Sequence, residues 1–183
     1  MERTKRELRK QYIAARQALG AEARAAASAR IAGRIAALPA YRRASTVMIY
    51  RAARGEADPE LLLGDPASAG KRFVYPCCVS DTEMKAVRPG AWRGGMYGLE
   101  EPDAEASEEV PPEEIDFIVC PGAAFDGGRT RLGSGRGYYD RFLPKCAGAE
   151  VVMAAFEAQR APELPRSDTD YPMDRIVTED GVY

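Results

Sequence analysis

The run Arg131-Leu132-Gly133-Ser134-Gly135-Arg136-Gly137-Tyr138-Tyr139-Asp140 sets alternate glycines between two arginines and closes on an aspartate. Without a Cβ, glycine reaches positive φ and lets successive amides converge, so such a loop at a helix start is suited to cradling phosphate oxygens. Arg131 and Arg136 add positive charge. Asp140, one turn into the helix expected to follow, is placed to hold the magnesium that accompanies a nucleoside triphosphate, an ion satisfied by one or two carboxylates plus phosphate oxygens and water. The alternative is a glycine-rich turn with solvated arginines; the added tyrosines and aspartate weigh against it.

What other chemistry is open is narrowed by composition. The chain has no histidine, and Cys77, Cys78, Cys120 and Cys146 show no C-x-x-C spacing. Most zinc constellations and every histidine-based triad are therefore excluded, and the thiols are expected to be buried and reduced. Carboxylates, lysine, arginine, tyrosine and backbone remain. Glu56, in the loop Gly55-Glu56-Ala57-Asp58-Pro59, has no evident structural duty, whereas Asp58 before Pro59 reads as an N-cap. Asp168, Asp170 and Asp174 surround Tyr171-Pro172-Met173 and fit either a metal site or a polar turn. Trp92 and Tyr97 lie in a glycine-rich segment where they would stack on a flat heterocycle or cover a core edge.

The elements that must position these groups are legible from period and punctuation. Thr4 followed by Glu7 is a capping-box pattern and Gly20 a C-terminal stop, which predicts a helix from Lys5 to Leu19. Leu8, Tyr12, Ala15 and Leu19 form its apolar stripe, with Lys5, Arg9 and Arg16 beside the stripe and Arg3, Arg6 and Lys10 on the far side. Lys5 and Arg9 thus sit at the seam between helix and body, where a cleft can use them. An alanine-rich helix over 21–38, stopped by Pro39, comes next. Thr46–Tyr50, Arg72–Pro76, Asp116–Cys120 and Val151–Phe156 are short apolar runs, separated by segments long enough to cross over as helices. The pattern predicts a single α/β domain over 1–183, a mostly parallel sheet with helices on both faces in a Rossmann-like three-layer arrangement. Ligands of such sheets gather beyond the carboxyl ends of the strands, which is where the glycine loop and the Glu56 loop both fall.

Charge is uneven. Residues 1–43 carry eleven lysines and arginines against three glutamates, while residues 100–116 hold nine acids, three prolines and no base and read as a solvated loop. No segment approaches the roughly 20 apolar residues of a membrane span and no secretory signal is evident, so a cytoplasmic, monomeric protein is expected, with no membrane partner.

The segment Pro121-Gly122-Ala123-Ala124-Phe125-Asp126, followed by Arg131 to Leu143, closely resembles the signature of the 5-formyltetrahydrofolate cyclo-ligase (5,10-methenyltetrahydrofolate synthetase) family. Lys5-Arg6-Glu7-Leu8-Arg9, Gly55-Glu56-Ala57-Asp58, Tyr97-Gly98-Leu99-Glu100-Glu101-Pro102 and Asp170-Tyr171-Pro172-Met173-Asp174-Arg175 follow the same order and spacing, so the resemblance spans the chain. It implies ATP- and Mg²⁺-dependent closure of 5-formyltetrahydrofolate to 5,10-methenyltetrahydrofolate through an N5-iminophosphate, with ADP and phosphate released. It also implies that Lys5, Arg6, Glu7, Leu8 and Arg9, together with Arg131, Leu132, Gly133, Ser134, Gly135, Arg136, Gly137, Tyr138 and Tyr139, meet ATP. Lys5, Arg131 and Arg136 are the implied catalytic cations. Folate is implied at Arg9, Arg51, Glu56, Tyr97 and the stretch Ser134, Gly135, Arg136, Gly137, Tyr138, with Glu56 addressing the pterin-like ring. Asp140 and Asp170 are the implied magnesium ligands. Arg51 stands where the family is often apolar, and Thr169 where a histidine often precedes the aspartate.

Two other classes fit parts of the sequence. A sugar-phosphate isomerase or transferase on a related fold uses a glycine loop without ATP, and a non-catalytic RNA-binding protein uses a basic N-terminal third. The absence of an aromatic-basic sheet motif speaks against RNA, and no nucleic-acid partner is expected.

Overall fold

The computed structural model describes residues 4–94 and 100–183. The capping box forms: the Thr4 hydroxyl accepts from the Glu7 amide while the Glu7 carboxylate accepts from the Thr4 amide, opening helix α1 (Lys5–Ala18). Such a cap stabilises a helix by about 1 kcal/mol. Gly20 differs from its expected role. Its φ is −61° and it is the N-cap of α2 (Ala21–Ala37), because the chain leaves α1 through an extended Leu19 and needs no left-handed residue. Pro39 ends α2 and opens the short α3 (Pro39–Arg43), a place where its missing N–H costs nothing.

The strands, in chain order, are β1 (Thr46–Met48), β2 (Arg72–Cys78), β3 (Met84–Arg88), β4 (Trp92–Gly94), β5 (Glu100–Pro102), β6 (Glu108–Val110), β7 (Phe117–Cys120), β8 (Ala124–Phe125) and β9 (Arg131–Leu132). Helix α4 (Tyr138–Phe142), β10 (Glu150–Ala154) and β11 (Arg175–Val177) complete the chain. The central sheet runs β11-β10-β7-β1-β2-β3-β6. From β11 to β2 all neighbours are parallel, and β3 and β6 extend that edge antiparallel. All four apolar runs read from the sequence are strands of the parallel part.

Because successive side chains of a strand face opposite ways, two cores result. Val47, Phe117, Val119 and Val152 pack against Ile31 and Ile35 of α2 and Tyr41 of α3, with the Tyr41 and Phe117 rings edge-on at 5.3 Å. Met48, Ile118, Cys120, Val151 and Met153 pack against Phe142, Leu143 and Cys146 on the other face. This is the expected three-layer α/β arrangement. The free cysteines are largely buried, only Cys78 being partly exposed.

Two local expectations are corrected. The crossover from β1 to β2 is not an α-helix but a pair of 3₁₀ turns, Pro59–Gly64 and Pro66–Ser68, each opened by an aspartate whose side chain accepts an amide; Asp58 does so from Glu60 at 2.9 Å. The acidic stretch 100–116 is not simply a loop, since it contributes β5 and the edge strand β6. Glu109 and Glu108 of β6 face Lys85 and Arg88 of β3 at 2.8 and 3.8 Å, so the charge lies along an exposed edge that it also protects from further pairing.

Helix α1 belongs to neither core. Leu8 and Tyr12 pack on Ala124, Leu132, Ala161 and Leu164, a separate cluster that seats the helix on the β8–β9 hairpin. The buried Asp126 fixes that hairpin by accepting from the amides of Gly128, Thr130 and Leu164 at 2.9, 3.0 and 2.9 Å. No described helix is long and apolar enough to cross a membrane. Leu8→Ala should therefore cost about 2–4 kcal/mol in urea unfolding and selectively deprotect the α1 amides in hydrogen exchange.

Candidate active site

Beyond the carboxyl end of β7 the chain turns through the β8–β9 hairpin into the glycine loop, and α1 lies across it. Gly135 and Gly137 have φ of +105° and +68°, so the loop requires the two glycines that its sequence offers. The helix it leads into, α4, is only five residues long. Its dipole is correspondingly small, and the positive field at the loop comes from side chains.

Those side chains converge on one cleft of about 770 Å³, lined by Lys5, Arg9, Arg131, the loop glycines, Asp140 and the segment 166–172. Arg9 crosses from α1 and donates its Nε–H to the Gly133 carbonyl at 2.8 Å. The Lys5 ammonium lies 2.5 Å from the Asp170 carboxylate and 3.1 Å from the Ser167 hydroxyl. Arg131, almost wholly buried, donates to Asp140 at 2.8 Å and to the Pro121 carbonyl at 3.2 Å. Burial works to raise the Asp170 carboxyl, but the Lys5 ammonium and the Ser167 amide and hydroxyl outweigh it and hold the group below its ordinary value. Asp174 lies elsewhere, accepting from the Val151 amide at the sheet.

A second pocket of about 380 Å³ opens on the Glu56 loop, between α2 and the end of β1. Glu56 accepts from the Ala53 amide at 3.1 Å and faces Arg16 of α1 at 3.7 Å. Burial lifts its carboxyl above the usual carboxylate range, against the pull of Arg16, the Ala53 amide and Arg54. Arg16, one of the three cations beside the apolar stripe of α1, faces Glu56 without lining either pocket. It is 3% exposed and donates to the carbonyls of Gly122 and Arg54, both at 3.2 Å. The available signal was spacing: Arg16 stands seven residues after Arg9, on the same helical face about 10 Å farther along. Arg141 and Arg166, which also line the larger cleft, carried no such signal.

Not every residue implied for ATP or folate reaches these pockets. Arg6 is exposed and outside the cleft, Glu7 closes the α1 cap, and Leu8 is in the apolar seat, since a helix can turn only one face to the body. Ser134 and Arg136 are exposed on the loop away from the cleft lining. Tyr138 donates to the Ser80 carbonyl at 2.9 Å. Arg51 pairs with Glu100 and Glu60 at 2.5 and 3.5 Å and stacks on Trp92, which in turn meets Tyr75 edge-on, so Trp92 covers a core edge. Tyr97 lies outside the described residues.

The decisive comparison is with a family model described as the 5-formyltetrahydrofolate cyclo-ligase family, which matches residues 1–179. The chain belongs to the 5-formyltetrahydrofolate cyclo-ligase family. A mouse 5-formyltetrahydrofolate cyclo-ligase is 28% identical over 97% of this chain and 94% of its own, and one from Escherichia coli K12 is 27% identical over 92% and 96%. Among solved structures, the Aquifex aeolicus 5,10-methenyltetrahydrofolate synthetase superimposes with a TM-score of 0.82 at 34% identity, over 97% of this chain and 91% of that one. A Mycoplasma pneumoniae 5,10-methenyltetrahydrofolate synthetase shares the fold, with a TM-score of 0.80 at 24% identity, over 97% of this chain and 99% of that one.

One further feature of this cyclo-ligase family member is a buried Tyr139 hydroxyl without a hydrogen-bond partner among the described residues, on a ring packed 5.4 Å from the Arg131 guanidinium carbon. An unpaired buried hydroxyl costs about 1–3 kcal/mol. Tyr139→Phe is accordingly expected to raise the thermal midpoint of the ligand-free protein by about 2 °C or more, measured by calorimetry.

Proposed function

We propose that this protein is an ATP- and Mg²⁺-dependent 5-formyltetrahydrofolate cyclo-ligase that forms 5,10-methenyltetrahydrofolate, ADP and phosphate. The observation that carries this reading is the convergence, in one cleft, of Lys5 and Arg9 from the first helix with Arg131, Asp140 and the glycine loop from the middle of the chain and Asp170 from its end. The whole chain acts as one domain, as a cytoplasmic monomer.

The triphosphate lies along the glycine loop with Lys5, Arg9 and Arg131 neutralising its oxygens. An amide oxygen is a poor leaving group, and phosphorylation makes it a good one. The formyl oxygen attacks the γ-phosphorus, the bond to the bridging oxygen breaks, and ADP departs. N10 then attacks the formyl carbon and loses its proton, and the carbon–oxygen bond breaks to release phosphate. Positioning and charge neutralisation supply most of the catalysis, which suits a chain without histidine.

Asp140 and Asp170 fit a magnesium ion, being two hard oxygen donors on one cleft that leave the remaining positions to phosphate and water. The ion, when bound, supplies charge for the phosphoryl oxygens. Each of these carboxylates pairs with a cation of the same cleft, Arg131 and Lys5 respectively. Binding of the triphosphate thus exchanges partners within a balanced set of charges. Glu56 takes the adjacent N–H donors of the pterin-like ring bidentately, which requires the ionised carboxylate.

Mixing the protein with 5-formyltetrahydrofolate should give the methenyl chromophore only when Mg-ATP is added; absence of that absorbance refutes the reading. Asp140→Ala should reduce its formation by about a thousandfold with the fold retained by circular dichroism. Glu56→Gln should weaken folate by about tenfold or more and leave ATP affinity within about twofold. In the wild type, folate affinity should weaken as pH falls through the raised titration point of Glu56, while Glu56→Gln should be flat over the same range.

A further inference from the structure

Arg16 is a costly residue to keep. Its guanidinium is 3% exposed, its Nε is buried without a hydrogen-bond partner among the described residues, and burial draws its pKa down, although an arginine remains charged. An apolar side chain would fill this stretch of helix at less expense unless the charge had a use. The geometry indicates one. The two terminal nitrogens reach the Arg54 carbonyl in the Glu56 loop and the Gly122 carbonyl after β7, and one of them faces the Glu56 carboxylate at 3.7 Å. Gly122 is held from the other side by the Gln159 amide at 2.8 Å, so this end of the contact is rigid. At the loop end Arg54 is a non-glycine residue with φ of +50°, a conformation that side chains disfavour and that an external hydrogen bond helps to hold.

We infer that Arg16 is a positioning residue for the reaction: it fixes the loop that carries Glu56 against the carboxyl end of β7 and keeps that carboxylate aimed for the pterin-like ring. The inference rests on the proposed role of Glu56. It also gives α1 a double task, with Arg9 at the glycine loop and Arg16, on the same face, at the pterin-recognising acid. One rigid helix then sets the separation between the two substrates' anchor points.

The surroundings of Glu56 define the expected pH behaviour. From its own loop it meets Arg54 and the Ala53 amide; Arg16 faces it from α1, and the Arg24 side chain of α2 packs on Gly55. Tyr50 and Tyr139 are close enough to feel its charge, but burial drives both phenols well above neutrality, so neither ionises in the working range. The Arg16 charge opposes the effect of burial on the carboxyl, ahead of the Ala53 amide and Arg54. Removing its charge should therefore raise the Glu56 titration point and move the fall in folate affinity to higher pH.

The test compares wild type, Arg16→Gln, Arg16→Lys, Glu56→Gln and the Arg16→Gln/Glu56→Gln double variant, with 5-formyltetrahydrofolate and Mg-ATP titrated separately by calorimetry across pH. Arg16→Gln should weaken folate by about tenfold or more, leave ATP within about twofold, and move the folate–pH profile upward. Arg16→Lys should retain most of the profile's position while recovering only part of the affinity, because lysine keeps the charge but not the forked reach to two carbonyls. In the double variant, loss of Arg16 should add little to loss of Glu56. An unmoved pH profile in Arg16→Gln, or losses that simply add in the double variant, would overturn the inference. If Arg16→Gln does not fold, Arg16→Lys decides: weakened folate binding with ATP affinity and profile position kept supports the inference, and folate affinity as in wild type opposes it. Failure of the underlying reading looks different, since wild type would not bind the folate or Glu56→Gln would bind it unimpaired.

Discussion

The structure depends on the attachment of the first helix to the glycine loop. Arg9 reaches from α1 to the Gly133 carbonyl, and Lys5 reaches from its first turn to Asp170, so three distant parts of the chain meet at one charged cleft. Helix α1 contributes to neither core of the central sheet. Its seat is the small cluster around Leu8, Tyr12 and Leu132, and its entry is fixed by the Thr4–Glu7 cap. The hairpin beneath is in turn fixed by Asp126, whose carboxylate accepts three amides. The Thr4–Glu7 cap, Leu8, Tyr12 and Asp126 support the cleft without lining it.

Charge around the two pockets is organised as pairs. Lys5 with Asp170, Arg131 with Asp140 and Arg16 with Glu56 set a cation from one element against a carboxylate from another. Such pairs hold parts of the chain in register, and their net worth to stability is small once desolvation is counted. Their value lies in pre-arrangement: a polyanion and its counter-cation find complementary partners already oriented, so little reorganisation accompanies binding. The Arg16 pair differs in tying down a loop with a left-handed Arg54.

Much of this was legible in the sequence because the relevant signals are local. The capping box, the alternate glycines and the four apolar runs each state a backbone preference within a few residues, and they become α1, the loop with Gly135 and Gly137 at positive φ, and the parallel strands. Gly20 and the acidic stretch misled because their local meaning was overridden. The turn after Leu19 stays extended, and the glutamates of β6 tolerate a strand because that strand is an edge whose charges face Lys85 and Arg88. The site was partly legible for a similar reason. Lys5, Arg9 and Asp140 carry spacing signals, but the decision that Glu7 closes a cap, that Leu8 faces the hairpin and that Arg16 is buried against Glu56 is made by tertiary packing.

The most direct measurement is calorimetric titration of Mg-ATP into wild-type protein and into Lys5→Gln/Arg9→Gln, with folding monitored in parallel. The account predicts clear binding by the wild type and a loss of about a hundredfold in the variant, whose cap and apolar seat are untouched. Equal affinity in the two proteins, or no uptake by well-folded wild type at millimolar nucleotide, would contradict it.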